Sequence, residues 1–252
     1  MTPDELLVVA REAAHAAAPL LVERFGSERV LATKSTPTDL VSEADLAAER
    51  AIRDVLAARV PDDAIVGEEG EDVAGSSGRR WIVDPLDGTV NYLYGIPLWC
   101  VSIACEGLAA VVLDPVRGEC FTATADGPAR LGDRELRRED AAALDRALVA
   151  TGFGYDSDRR ALQAAVAARV LPRVRDIRRG GSAALDLAWT AAGRVDAYFE
   201  YGVNAWDVEA GEFICLRAGL RVEPLEPGGG LPDGVLAAPP SLAESLLALV
   251  RA

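Results

Sequence analysis

Histidine is almost absent from this chain: His15 is the single one in 252 residues, and it sits in an alanine-rich helical stretch. That leaves no imidazole for a nucleophile, a Ser-His-Asp triad or a His-rich metal site, and His15 reads as a helix-surface residue. Lysine is equally scarce. Lys34 stands alone while arginine is abundant, and because ammonium and guanidinium differ in reach and geometry, Lys34 becomes a candidate for a specific role. The four cysteines, Cys100, Cys105, Cys120 and Cys215, form no C-x-x-C pair and lie mostly in apolar runs, so buried free thiols in a reducing cytoplasm are expected. None precedes an arginine at the spacing of a thiol phosphatase loop. No apolar run approaches about 20 residues, so no transmembrane helix is expected. The opening Thr2-Pro3-Asp4-Glu5 reads as a capped helix start, not a basic signal peptide. Positive charge is also short: 26 basic against 40 acidic residues give a formal net charge of -14, which argues against binding nucleic acid or an anionic membrane by bulk electrostatics. A phosphate ester would need local help from metal ions or helix N-termini.

What is present suffices for a sizeable core, with 50% hydrophobic residues. Helices are predicted over 4–25, with a kink at Pro19, and over 44–58, with a short strand at 64–66. Strands follow over 99–105, 109–113 and 119–125, then a charged, alanine-rich boundary around 135–147. Beyond it strands at 147–151, 174–178 and 195–199 alternate with helices at 159–170, 182–192 and 206–218. Strands near 220–223 and 234–237 precede a last helix from Ser241, with Glu244 completing a capping box. Gly228-Gly229-Gly230 reads as a turn, since neither Walker spacing nor a strand-to-helix context surrounds it. This order predicts a layered α/β architecture with two closely packed sub-domains, about 1–140 and 141–252, within a single 252-residue domain.

The chemistry concentrates in Trp81-Ile82-Val83-Asp84-Pro85-Leu86-Asp87-Gly88-Thr89, where an apolar strand ends in two carboxylates, a glycine and a hydroxyl. Adjacent carboxylates are costly to desolvate unless cations sit between them, so Asp84 and Asp87 point to a hard ion such as Mg²⁺. Gly88 and Thr89 supply N–H groups and a hydroxyl for an anion. Further acidic candidates are Asp39 to Asp45, Glu68-Glu69 and Asp207; each alone could be a helix cap, a solvated turn or a dipole-favoured charge. The Asp-x-x-Asp spacing is not the Asp-x-Asp of aspartyl-phosphate enzymes.

Taken together, Gly67-Glu68-Glu69, the run from Trp81 to Tyr92 and Trp206-Asp207-Val208-Glu209-Ala210-Gly211 resemble the signature motifs of the inositol monophosphatase family. Lys34 with Asp39 to Asp45, and Gly180 to Asp186 with Ala192 to Glu200, fit it in the same order, so the resemblance covers nearly the whole chain. It implies a sugar-phosphatase-like fold of alternating α-β-α-β-α layers and a cytoplasmic, lithium-sensitive, homodimeric phosphomonoesterase using two or three Mg²⁺ ions.

By the resemblance, Glu68, Asp84 and the Leu86 carbonyl would hold one ion; Asp84, Asp87 and Asp207 would hold a second. Glu68, Thr89 and Asp45 are the candidate catalytic residues, with Lys34 and Asp39 as supporting groups. The substrate would meet Glu68, Leu86, Asp87, Gly88 and Thr89 at its phosphate, and Gly181, Ser182, Ala183, Glu200 and Asp207 at its alcohol. Departures from the family pattern include Asn204, where animal members commonly carry histidine, and Ser42, where threonine is usual. Myo-inositol 1-phosphate is the first substrate expected, with histidinol phosphate, fructose 1,6-bisphosphate or broad sugar phosphates as alternatives. No basic cluster for a second phosphate is visible in the sequence. A non-catalytic regulatory homologue is the reading from a different class, and the complete set Glu68, Asp84, Asp87, Thr89 and Asp207 favours catalysis over it.

Overall fold

The alanine-rich start folds as α1 (Pro3–Arg24), capped as expected by the reciprocal Thr2–Glu5 box and running through Pro19. His15 lies exposed on its surface, as expected. The computed structural model describes residues 1–26, 30–33, 40–138 and 143–251, with side chains left aside at 30–33 and 40–42. Lys34 and Asp39 therefore lie outside the described residues.

After α1 come β1 (Val30–Thr33), β2 (Leu40–Ser42), α2 (Glu43–Arg59), β3 (Ala64–Gly67), β4 (Arg80–Asp87) and the short α3 (Thr89–Leu93). The meander β5 (Cys100–Cys105), β6 (Ala109–Asp114) and β7 (Glu119–Thr124) is followed by the small β8 (Arg130–Leu131) and β9 (Arg134–Glu135). The second half holds β10 (Leu148–Thr151), α4 (Ser157–Val170), β11 (Asp176–Arg178), α5 (Ala183–Ala192), β12 (Ala197–Tyr201), α6 (Ala205–Arg217), β13 (Arg221–Leu225), β14 (Gly234–Ala238) and α7 (Pro240–Val250).

Two large sheets result. The first runs β3-β4-β5-β6-β7-β8-β9, parallel only between β3 and β4. The second runs β11-β10-β12-β14-β13, parallel across its first three strands and antiparallel across the rest. One core cluster joins α1 and α2 to the first sheet, through Leu6, Leu21, Ile52, Trp81 and Ile103. A second lies between the sheets, where Leu187 of α5 and Ile214 of α6 meet Phe121 and Tyr198. A third packs α4 and α7 on the outer face of the second sheet through Val166, Phe199 and Leu246. The layers therefore alternate α-β-α-β-α, as expected. Both faces of β5 are buried, and all six of its residues are apolar or small.

Several boundaries shift by one or two residues from expectation, and two of these shifts have a visible cause. The strand predicted over 195–199 begins at Ala197, because the Asp196 carboxylate first accepts the Leu148 N–H at 2.8 Å and ladder pairing starts only beyond it. Glu200 consequently sits within β12, not at its end. The last helix starts at Pro240, whose fixed φ suits the first helical turn, and no side chain caps it. Glu244 pairs instead with Arg221 of β13 at 2.5 Å. Asp54 of α2 is exposed, and the four cysteines are free thiols.

Candidate active site

The carboxyl end of β4 meets the N-terminal ends of α5 and α6 in a cavity of about 460 Å³. A bulge makes the motif usable. In a regular strand, residues three apart point to opposite faces, but here Asp84 pairs with Ser102 and Asp87 with Cys100, three steps on β4 against two on β5. The extra residue restores parity, so both aspartates face one side. Pro85 occupies the bulge, where no N–H donor is required. Gly88 follows with φ at 101°, a left-handed conformation that lets the chain turn directly into α3.

Glu68, Asp84, Leu86, Asp87, Gly88, Thr89, Gly181, Ala183, Glu200 and Asp207 all line this cavity. Ser182 and Asp45 do not; both are buried behind its wall. Ser182 caps α5 and donates from Oγ to Asp87 at 2.7 Å, so it orients a carboxylate where contact with the alcohol was expected. Asp45, on α2, stands 3.0 Å from the Thr89 hydroxyl, which also lies 3.1 Å from the Leu86 carbonyl; its single proton can serve one acceptor at a time.

The aspartates share a pattern of anchoring. Asp87 accepts at Oδ2 from Ser182 and from the Ala184 N–H at 2.7 Å. Asp207 accepts at Oδ2 from the backbone and side-chain nitrogens of Asn204, at 2.6 and 3.2 Å. Asp84 accepts at Oδ1 from the Leu86 N–H at 2.9 Å. Each is fixed by one oxygen. Glu68 is held through its backbone: its N–H donates to Val83 at 3.2 Å, and buried Glu49 of α2 accepts the next two N–H groups, of Glu69 and Gly70, at 2.7 and 2.8 Å. Arg53 completes the Glu49 carboxylate at 2.6 Å.

Burial drives the Asp84 carboxyl well above its ordinary value, reinforced by the negative charges of Glu68, Asp87 and Asp207. Burial likewise lifts Asp87 to about 7, against the pull of its Ser182 and Ala184 bonds. Asp207 reaches about 8, through burial first and the Asp87 charge next. Glu200 is raised to about 7 by burial, although Tyr198 donates to it at 2.7 Å. Its carboxylate lies so close to Gly152 that any side chain there would collide with it.

Among the described residues, no group of three or more His, Cys, Asp or Glu side chains stands ready-made to hold an ion. The donors still suit a hard cation, because Glu68, Asp84, Asp87 and Asp207 line one cavity together with Leu86, the charges of the others press on Asp84, and carboxylates supply only oxygen. Sequence reasoning missed Phe153, Tyr155, Arg159, Arg179 and Trp206, which also line the cavity. Trp206 could have been drawn from its motif; the others carry no local signal.

A layered α/β protein whose carboxylate-floored cavity opens between two sheets is the class that fold and site define. The chain belongs to the inositol monophosphatase family, whose model matches residues 2–252. It is 42% identical to the inositol-1-monophosphatase SuhB of Mycobacterium tuberculosis (strain ATCC 25618 / H37Rv), across 99% of this chain and 94% of that protein. It is 36% identical to the Nus factor SuhB of Salmonella typhimurium (strain LT2), across 98% of this chain and 96% of that protein. The crystal structure of the extragenic suppressor protein suhB from Bartonella henselae superposes with a TM-score of 0.89 at 33% identity, covering 98% of both chains.

Proposed function

We propose that this protein is a Mg²⁺-dependent phosphomonoesterase that hydrolyses phosphate esters of small polyols, myo-inositol 1-phosphate among them. The observation that carries this reading is the convergence on one cavity of Glu68, Asp84, Asp87 and Asp207, with the three aspartates each tethered through one oxygen. Glu68, Asp84 and the Leu86 carbonyl would hold one cation, and Asp84, Asp87 and Asp207 another, with Asp84 common to both. When bound, such cations neutralise the phosphate dianion and acidify a water molecule.

The protein's own groups do the rest. With its proton directed to Asp45, the Thr89 hydroxyl presents a lone pair to the attacking water, and Glu68 accepts the proton that the water gives up. The N–H groups of Gly88 and Thr89 are available to phosphate oxygens. The P–O ester bond breaks as the water oxygen bonds to phosphorus, and the departing alkoxide takes a proton from a second water, while Glu68 returns the proton it accepted to solvent. Glu200, held by Tyr198, accepts hydrogen bonds from alcohol hydroxyls, with Gly181 and Ala183 beside it. A cytoplasmic homodimer inhibited by Li⁺ is the setting implied by the family resemblance.

Phosphate release tests this directly. Myo-inositol 1-phosphate, histidinol phosphate, fructose 1,6-bisphosphate and a 3′-phosphonucleotide are compared by kcat/KM with and without Mg²⁺. Turnover that requires Mg²⁺ and is highest on the polyol esters is expected; no turnover of any ester would leave the regulatory reading.

A further inference from the structure

The segment that brings Gly181 to the alcohol side of the cavity starts from a weakly supported strand. It leaves β11, three residues long and at the edge of the second sheet, and enters α5 at the Ser182 cap. Arg179, Gly181 and Ala183 line the cavity, while Gly180 lies behind its wall. The Gly180 peptide is gripped from both sides. Its N–H donates to the carboxyl of Asp186, in the first turn of α5, and its carbonyl accepts from the Asn91 amide of α3 at 2.9 Å. The same amide nitrogen donates to the Leu98 carbonyl at 2.7 Å. Asp186 sits so close that a side chain on Gly180 would begin 2.4 Å from its Oδ1. Both Asp186 and Asn91 are buried, and neither reaches the cavity wall. The position is unfavourable for a carboxyl: burial first, then the charges of Glu200 and Asp87, push Asp186 well above the ordinary range. No step of the proposed hydrolysis uses it.

Asn91 belongs to the helix that begins at Thr89, so the two side chains join the phosphate end of the cavity to its alcohol end through one peptide. We propose that Asp186 and Asn91 clamp the Gly180 peptide, fix Gly181 and Ala183 relative to the N–H groups of Gly88 and Thr89, and are thereby positioning residues for the leaving alcohol. Selection of a hydroxyl-bearing alcohol over a featureless one then depends on two side chains that touch neither. A misplacement of about 1 Å is enough to cost up to about a hundredfold, so loss of one side of the clamp is expected to cost about tenfold. The inference rests on the phosphatase reading above and deepens it.

The test is the ratio of kcat/KM for myo-inositol 1-phosphate to that for phenyl phosphate, whose leaving group carries no further hydroxyl, at saturating Mg²⁺. Asp186→Ala and Asn91→Ala should each lower this ratio about tenfold, chiefly through KM for the inositol ester. Asp186→Asn keeps an oxygen for the Gly180 N–H and should hold the ratio within about twofold of wild type. Gly180→Ala leaves both clamp residues in the chain but drives a methyl group into Asp186, so it should lower the ratio as well and carries the test if the alanine variants do not fold. A ratio unmoved in both alanine variants, even with both esters cleaved more slowly, assigns the two residues to the fold alone and overturns the clamp. So does a wild-type ratio in Gly180→Ala, or a fall in Asp186→Asn as large as that in Asp186→Ala. Calorimetric binding of myo-inositol 1-phosphate and of inorganic phosphate in Ca²⁺ reads the segment without turnover. A wild-type protein that cleaves neither ester, yet prefers the inositol ester to phosphate by a margin that falls in Asp186→Ala, would sink the phosphatase reading and leave the clamp standing.

Discussion

Glu49 shows how a buried residue away from the cavity wall can govern one on it. Its carboxylate, 2% exposed, takes the N–H groups of Glu69 and Gly70 on separate oxygens and Arg53 on one of them. These bonds, with the Glu68 N–H on Val83, fix the turn that carries Glu68 next to the strand that carries Asp84. Glu49→Gln replaces one acceptor oxygen by a donor that faces a backbone N–H, so half of the clamp is lost. The expected result is roughly a tenfold weaker Mg²⁺ affinity and a comparable fall in kcat, with little change in KM. Calorimetric Mg²⁺ titration decides the matter: a lower Tm with unchanged Mg²⁺ affinity would reduce Glu49 to a purely structural role. Legibility at this scale follows locality. Asp84 and Asp87 could be singled out because they end an apolar strand with a glycine and a hydroxyl directly behind them, whereas Glu68 and Asp207, each readable alone as a turn or a helix charge, joined them only through the family resemblance. Arg159 and Arg179 could not, since the cavity draws them from separate segments and nothing in either stretch announces the other.

Strand β4 is the element on which the site depends, and it is anchored at both ends by side chains. At its start Asp63 receives Arg79 through two nitrogens at 2.7 and 2.9 Å, the Trp81 indole at 2.9 Å and the Ser77 hydroxyl at 2.6 Å. Burial alone would raise the Asp63 carboxyl, but the bonds from Arg79, Ser77 and Trp81 together outweigh it and hold it below the ordinary value. A carboxyl lowered on folding stabilises the protein above its unfolded value, about pH 4, and that contribution is lost as pH falls through the folded value. Asp63→Asn should therefore cost about 3 kcal/mol at neutral pH, the scale for breaking a buried pair. The gap should narrow as pH falls below about 4, and urea melts of both proteins between neutral and acid pH measure it. A gap constant with pH would remove the charge from the explanation. Element order was legible in the sequence because helical and strand periodicities differ and turn residues separate them. The bulge at Pro85 was not: it follows from the register of β4 on β5, which is a property of the pair. The short elements β1, β2, α3, β8 and β9 also escaped, having too few residues to establish a period.

For the molecule as a whole, the catalytic reading implies that stability and cation binding are linked. The middle layer, α5 and α6, packs between both sheets, and the same helices present Asp207 and the N–H that holds Asp87. The site therefore cannot relax its repelling carboxylates without disturbing the shared core. A cation bound only by the folded state adds about 2.7 kcal/mol at a hundred times its dissociation constant. For a chain of this size that corresponds to a rise in Tm of about 5–10 °C. Mg²⁺ should produce this shift, and NaCl at equal ionic strength should not. An equal rise in NaCl would assign the effect to screening of the net charge of -14 instead. Asp84→Asn separates the contributions. Replacing the carboxylate shared by both proposed ion sites should raise the starting Tm, because a buried and repelled charge is gone, and should reduce the Mg²⁺ shift to within about 2 °C. A variant that keeps both the wild-type starting Tm and the full shift would show that Asp84 neither strains the fold nor holds the cation.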